Sequence, residues 1–186
     1  MKILKIFIFI FISLFFSIKT NSNIQLINTL EQGGKLIFIR HAYAPGNGDP
    51  SNFDINDCST QRNLNQKGIQ DSINLGVFFI KHKIAVDSVI SSEWCRCKDT
   101  AFYAFNKFEK KIFLNSFYDE KFFHNKTQQI IDLKDYIKQW NGKKNLVLIT
   151  HYVVISEILN IGSLPAEIIV ADRNFNLLGR YQLTKN

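Results

Sequence analysis

Two unbroken apolar runs stand out along the chain, Leu36-Ile37-Phe38-Ile39 and Leu146-Val147-Leu148-Ile149. Runs of this kind, with no polar alternation, mark strands buried on both faces. Each stops abruptly on polar residues, the first at Arg40-His41 and the second at Thr150-His151. Between them, Ile69, Ile73, Val77 and Ile80 recur at helical spacing. They predict an amphipathic helix to about Lys81 with that stripe inward, capped by Asn65 and stapled by Leu64 and Ile69. Residues 87–91 predict a short strand, and Ser92 a cap for a helix turning Cys97, Ala101, Ala104 and Phe105 inward. Residues 111–114 predict an edge strand, and the pattern over 115–126 is ambiguous. Thr127 predicts the cap of a helix with Ile130, Leu133, Ile137 and Trp140 on one face, ended by Gly142. Val154, Ile155, Ile158 and Leu159 predict a further helix closing at Gly162. Residues 167–171 and 177–182 predict a terminal strand pair turning near Asn174 and Asn176. Strands alternating with helices predict a three-layer α/β/α sandwich around a mostly parallel sheet.

The first 22 residues have a different pattern. Lys2 and Lys5 precede an apolar stretch from Ile6 to Ile18, broken only by Ser13 and Ser17, with Thr20-Asn21-Ser22 behind it. A charged start, an apolar middle and a small residue at the exit predict a signal peptide over 1–22, leaving one domain over 23–186. The rival reading is an uncleaved membrane anchor, and in either case the domain is exported to the periplasm or beyond. Three of the 23 basic residues and no acid lie in that segment, so the formal charge of +7 falls to +4 for the rest. The remaining bases are scattered, without a basic run or an aromatic-interleaved stripe, which gives a nucleic-acid partner no support.

Export gives the three cysteines a meaning, because such a chain meets oxidising conditions. Cys58 follows the first apolar run, while Cys95 and Cys97 sit together in WCRC. A bridge from Cys58 to Cys95 or Cys97 is predicted. It would close a loop of nearly forty residues and stabilise by roughly 3–4 kcal/mol. The spacing does not suit zinc, and no metal or cofactor is expected.

A cation and an imidazole at the end of a buried strand occupy the place where ligands bind in open α/β sheets. Pro45, Gly46, Gly48 and Pro50 make the following loop, over 41–63, irregular. Arg96 falls in the first turn of the predicted helix after Ser92, beside its free amides. Arg40, Arg96, His151 and loop amides would together neutralise a phosphomonoester dianion. His41, its pKa depressed by the arginines, would then be neutral and able to attack phosphorus.

These residues resemble the signatures of the histidine phosphatase superfamily, the phosphoglycerate mutase-like group. IRHAYAPGN resembles the Arg-His-Gly element, with Ala42 at the glycine; LNQKG resembles the following helix start. SSEWCRCKDTA resembles the element carrying the second arginine, and ITH that carrying the second histidine, with Tyr152 at its glycine. Together they cover residues 35–171 in order. The resemblance implies the phosphoglycerate mutase-like fold, Arg40 and Arg96 as phosphate-binding arginines, His41 as the phosphorylated histidine and His151 as the second histidine. It further implies Asn47 and Arg62 as substrate contacts, and a proton donor from the segment holding Asp119 and Glu120. His82 and His124 match no motif and read as solvated. The implied activity is metal-independent hydrolysis of small phosphomonoesters through a phosphohistidine. The alternative is a catalytically weak relative that binds phosphorylated ligands or partners.

Overall fold

The computed structural model describes residues 23–183, so the segment read as a signal peptide lies outside the described residues. Both apolar runs lie at the centre of one sheet. Its strands are β1 (Leu36–Arg40), β2 (Val86–Ser91), β3 (Glu109–Lys110), β4 (Asn145–Thr150), β5 (Ile168–Ala171) and β6 (Leu177–Tyr181), in the order β3-β2-β4-β1-β5-β6. The first four run parallel, β5 runs antiparallel to β1, and β6 antiparallel to β5. The helices are α1 (residues 23–31), α2 (Gln66–Lys81), α3 (Cys95–Phe105), α4 (Glu120–Phe123), α5 (Lys126–Gln139) and α6 (Tyr152–Leu159). Among the described residues no helix is long and apolar enough to cross a membrane.

Successive strand residues point to opposite faces, so each central strand feeds two cores. Ile37, Ile39, Val147 and Ile149 pack with Leu30 of α1, Leu75 and Phe79 of α2 and Ala101 of α3. Leu36, Phe38, Leu146 and Leu148 pack with Leu133 and Ile137 of α5 and Val154 and Ile155 of α6. The result is the expected three-layer sandwich with a mostly parallel sheet.

Local patterns misplace several details. Asn65 does cap α2, its Oδ1 accepting from Gly68 N at 3.0 Å. The predicted inner stripe, however, faces out: Ile73, Val77 and Ile80 are exposed, Ile80 by 80%. Gly68, Ser72, Leu75, Gly76, Phe78 and Phe79 are buried instead. Gly68 and Gly76 let the helix backbone close on Tyr43 O and Ala104 O, where a Cβ would clash. Close approach through glycine outweighs the β-branched stripe. Residues 112–114 form a 3-10 turn instead of an edge strand, because Leu114 turns into the core. The ambiguous stretch contains α4. Helix α3 begins after Trp94 and α5 after Asn125, neither with a side-chain cap, so Ser92 and Thr127 do not cap. Helix α6 closes at Asn160, whose φ of 53° is left-handed, before Gly162 is reached. His82 is half-buried against Phe78, whereas His124 is exposed.

The register of the parallel strands places the chemistry. Arg40 pairs with Thr150, and Ser91 with Ile149, so three strands end nearly level. His41 N donates to Thr150 O and Ser92 N to Ile149 O, both at 2.9 Å. His41, His151 and Ser92 therefore leave the carboxyl edge of the sheet side by side.

Candidate active site

Both histidines are 3% exposed, and their rings meet edge to face with centroids 5.5 Å apart. His41 Nδ1 lies 2.8 Å from Ala42 O. A carbonyl can only accept, so Nδ1 carries the proton and Nε2 keeps a free lone pair. In His151 the opposite nitrogen is engaged. Its Nε2 lies 2.9 Å from Ser92 Oγ and 3.4 Å from Cys97 Sγ. Asn115 decides the direction of that bond. Asn115 Nδ2 donates to Glu93 Oε2, so Asn115 Oδ1 faces Glu93 N and Ser92 Oγ as an acceptor. The single Ser92 hydroxyl proton goes to Asn115, which makes His151 Nε2 the donor to Ser92 Oγ and leaves Nδ1 as the unprotonated nitrogen.

Burial, and then the charge of Arg96, holds both imidazoles well below the ordinary histidine range. The arginines, expected from the sequence to supply that effect, contribute less to it than burial does. Both rings are neutral at neutral pH. Burial pushes the neighbouring Cys97 thiol up to about 12, so it stays protonated and is no rival nucleophile.

The cations crowd the same place. Burial and Arg96 lower the pKa of both Arg40 and Arg62, a sign of like charges gathered without enough counter-charge. Arg96 is 3% exposed and forms a two-pronged pair with Asp49, Nη1 to Oδ1 at 2.8 Å and Nη2 to Oδ2 at 3.2 Å. Trp94 Nε1 and Arg62 N also donate to Asp49, at 3.0 and 2.9 Å. Burial pushes the Asp49 carboxyl up, but Arg96 and these donors outweigh it and leave it below its usual range. Asp49 takes the terminal fork of Arg96 and leaves the edge containing Nε. Arg96 Nε and Arg40 Nε are both buried without a hydrogen-bond partner. An orphaned buried donor costs about 1–3 kcal/mol, and an oxyanion in the adjoining cavity would supply the missing acceptor.

That cavity has a volume of about 210 Å³ and is lined by Arg40, His41, Arg96 and His151 together with Asn47, Asp49 and Arg62. All four residues assigned catalytic roles from the sequence thus meet, as do both assigned substrate contacts. Of the two proton-donor candidates, Asp119 lines the cavity and Glu120 does not; Glu120 sits exposed in the first turn of α4. The loop over 41–63 is held from several sides. Arg62 Nη1 and Nε donate to Ala44 O and Gly48 O, and Cys95 N donates to Gln61 Oε1. Cys58 is bonded to Cys95, which settles the open pairing and leaves Cys97 as a buried free thiol.

Sequence reasoning missed Asp49, Ser92 in its buried role, Asn115 and Thr100. Thr100 Oγ1 accepts from Ala42 N at 2.9 Å and donates to Arg96 O at 2.7 Å, tying the strand end that bears His41 to α3. The clue to Asp49 was an acid set among the glycines and prolines of a loop expected to meet arginines. Asn115 left no local clue, since its partners lie 22 and 23 residues away. The two departures from the signature are accommodated: Ala42 is fully buried with its N–H held by Thr100, and Tyr152 stacks over Arg40 at 5.7 Å.

No family model and no curated protein matches the chain. Solved structures do resemble it. The protein histidine phosphatase SixA complexed with tungstate has a TM-score of 0.54 at 14% identity, covering 78% of this chain and 95% of that one. A phosphoserine phosphatase mutant from Entamoeba histolytica in complex with phosphoserine has 0.56 at 16%, with the same coverage. The alpha-ribazole phosphatase from Shigella flexneri has 0.56 at 14%, covering 74% and 90%. These neighbours are members of the histidine phosphatase superfamily, and the chain shares their phosphoglycerate mutase-like fold.

Proposed function

We propose that the protein is a phosphatase of the histidine type, hydrolysing small phosphomonoesters by way of a phosphohistidine on His41. The observation that carries this reading is a neutral His41 whose Nε2 is free beside two arginines with orphaned Nε donors. Nε2 stands at the tip of the ring, clear of its own backbone, where a nucleophile can approach phosphorus in line. The Nε2 lone pair forms the N–P bond while the ester P–O bond breaks. The leaving oxygen takes a proton from water. Water then attacks phosphorus, the N–P bond breaks with its electrons returning to Nε2, and inorganic phosphate departs. Arg40 and Arg96 hold the equatorial oxygens through both steps, supplying the charge stabilisation that a metal ion provides elsewhere. His151 Nδ1, the hindered nitrogen, keeps its lone pair in the free protein and can take up a proton once the phosphate dianion is bound.

Export belongs to the same proposal. The apolar N-terminal segment and the Cys58–Cys95 bridge both suit an oxidising compartment, with substrates met outside the cytoplasm. Brief incubation with labelled substrate is expected to leave acid-labile phosphate on His41, absent in His41→Ala, with the rate unchanged by a chelator. Label on Ser or Asp would refute the mechanism. Phosphorylated ligands bound equally well by wild type and His41→Ala, with no turnover in either, would favour the binding-only alternative.

A further inference from the structure

The cavity lining is of two kinds: the cationic and imidazole groups of Arg40, His41, Arg96 and His151, and the aromatic rings of Tyr118, Phe122 and Tyr152. Phe122 is braced from behind, edge to face with Trp94 at 5.4 Å and with Phe53 at 5.5 Å. Tyr152 is held in place over the Arg40 guanidinium. Both tyrosines keep open surface, Tyr118 being 66% and Tyr152 46% exposed. Exposed rings around a charged pocket carry a hydration cost that a flat apolar ligand would relieve.

The charges that line the cavity narrow the ligand further. Of the two carboxylates lining the cavity, Asp49 is held by Arg96, and Asp119 makes no ion pair among the described residues. The remaining lining cation, Arg62, is turned to Ala44 O and Gly48 O. Lys121 lies over Phe53 and Phe122 and does not line the cavity. A second phosphate or a carboxylate on the substrate would meet Asp119, with Arg40 and Arg96 taken up by the phosphoryl group and Arg62 directed to the loop carbonyls. A volume of about 210 Å³ also lies below the roughly 300–1,000 Å³ of sites for drug-sized ligands.

Resting on the phosphatase reading, we infer that the substrate is a small phosphomonoester whose leaving group carries an uncharged aromatic ring, seated among Tyr118, Phe122 and Tyr152. These three side chains set specificity; Arg40, His41, Arg96 and His151 act on the phosphoryl centre whatever its substituent.

The test separates ring recognition from leaving-group chemistry. Benzyl phosphate and butyl phosphate release alcohols of similar acidity and differ in the ring. On the full-length protein, benzyl phosphate is expected to show about tenfold higher kcat/KM, the scale of one good aromatic contact. Tyr118→Ala and Tyr152→Ala should each shrink that ratio, which a general loss of fold would not do selectively. 4-Carboxybenzyl phosphate should react more slowly than benzyl phosphate. A benzyl-to-butyl ratio near one in the wild type, or equal or faster turnover of the carboxylated ester, overturns the inference. Benzylphosphonate and butylphosphonate, which cannot be hydrolysed, keep the two readings apart. Tighter binding of the benzyl compound without turnover of any ester supports the ring site and defeats the phosphatase reading. Turnover with equal phosphonate affinities defeats the ring site alone.

Discussion

The two strand ends at the centre of the sheet bear histidines equally buried, both held neutral by burial and by Arg96. What separates them is which ring nitrogen the protein engages. His41 is pinned through Nδ1 by Ala42 O, a backbone group adjacent in sequence, and presents Nε2. His151 is pinned through Nε2 by Ser92, whose hydroxyl is oriented by Asn115 and Glu93. It is left with Nδ1, crowded by its own backbone. On the proposed mechanism the first ring attacks phosphorus, and the second takes up a proton and packs against its neighbour. Identical residue, strand position and burial do not make identical chemistry; the partner of the far nitrogen does.

The sharpest way to break this comparison is to remove each ring in turn. His41→Ala is expected to lower kcat by at least about 10³-fold and to abolish the phosphoenzyme. His151→Ala is expected to cost less, about 10²–10³-fold, with a phosphoenzyme that still forms. Rapid-quench measurement of the labelled intermediate distinguishes the two. Loss of labelling in His151→Ala and its retention in His41→Ala would reverse the assignment.

Asp49 comes next, since it holds the arginine that both histidines feel. Asp49→Asn breaks a buried ion pair and is expected to destabilise by about 3–5 kcal/mol. It should also reduce kcat/KM by about tenfold, because Arg96 loses its fixed orientation. The folded pKa of Asp49 is depressed, so its contribution is present above the unfolded carboxyl value and is lost as pH falls through the folded one. Wild type should therefore lose stability on acidification below about pH 4, where Asp49→Asn is comparatively insensitive. Denaturant unfolding of both proteins across that range measures it.

Removing the disulfide is expected to act on the fold more than on the rate. Cys58→Ser opens a loop of 37 residues and should cost about 3–4 kcal/mol, or about 10 °C in Tm. Its effect on kcat/KM should be smaller than that of Asp49→Asn. The finest probe leaves the protein intact. In the free protein at pH about 6.5, nitrogen NMR is expected to find both buried rings neutral, with the proton on Nδ1 in His41 and on Nε2 in His151. The same tautomer in both would contradict the roles drawn from it.

Much of this protein is legible in local sequence. The two apolar runs place β1 and β4, their polar ends identify His41 and His151, and chain order implies a parallel sheet whose carboxyl edge collects them. Such features follow from burial on both faces and from the short reach of strand and helix periodicity. Other decisions belong to tertiary structure, because they depend on what arrives from far along the chain. Asp49 meets Arg96 across 47 residues. Cys95 and Cys97 differ by about 200° around α3, so the first faces the loop and bonds Cys58 while the second faces β4. Asp119 enters the cavity and Glu120 does not because α4 starts between them. Helix α2 turns its glycine face inward, against its hydrophobic stripe, because only there can two backbones close on it. Sequence determined which groups reach the sheet edge; tertiary packing decided which nitrogen and which carboxylate face the cavity and which cysteine is bridged, since contact between distant segments is what fixes direction.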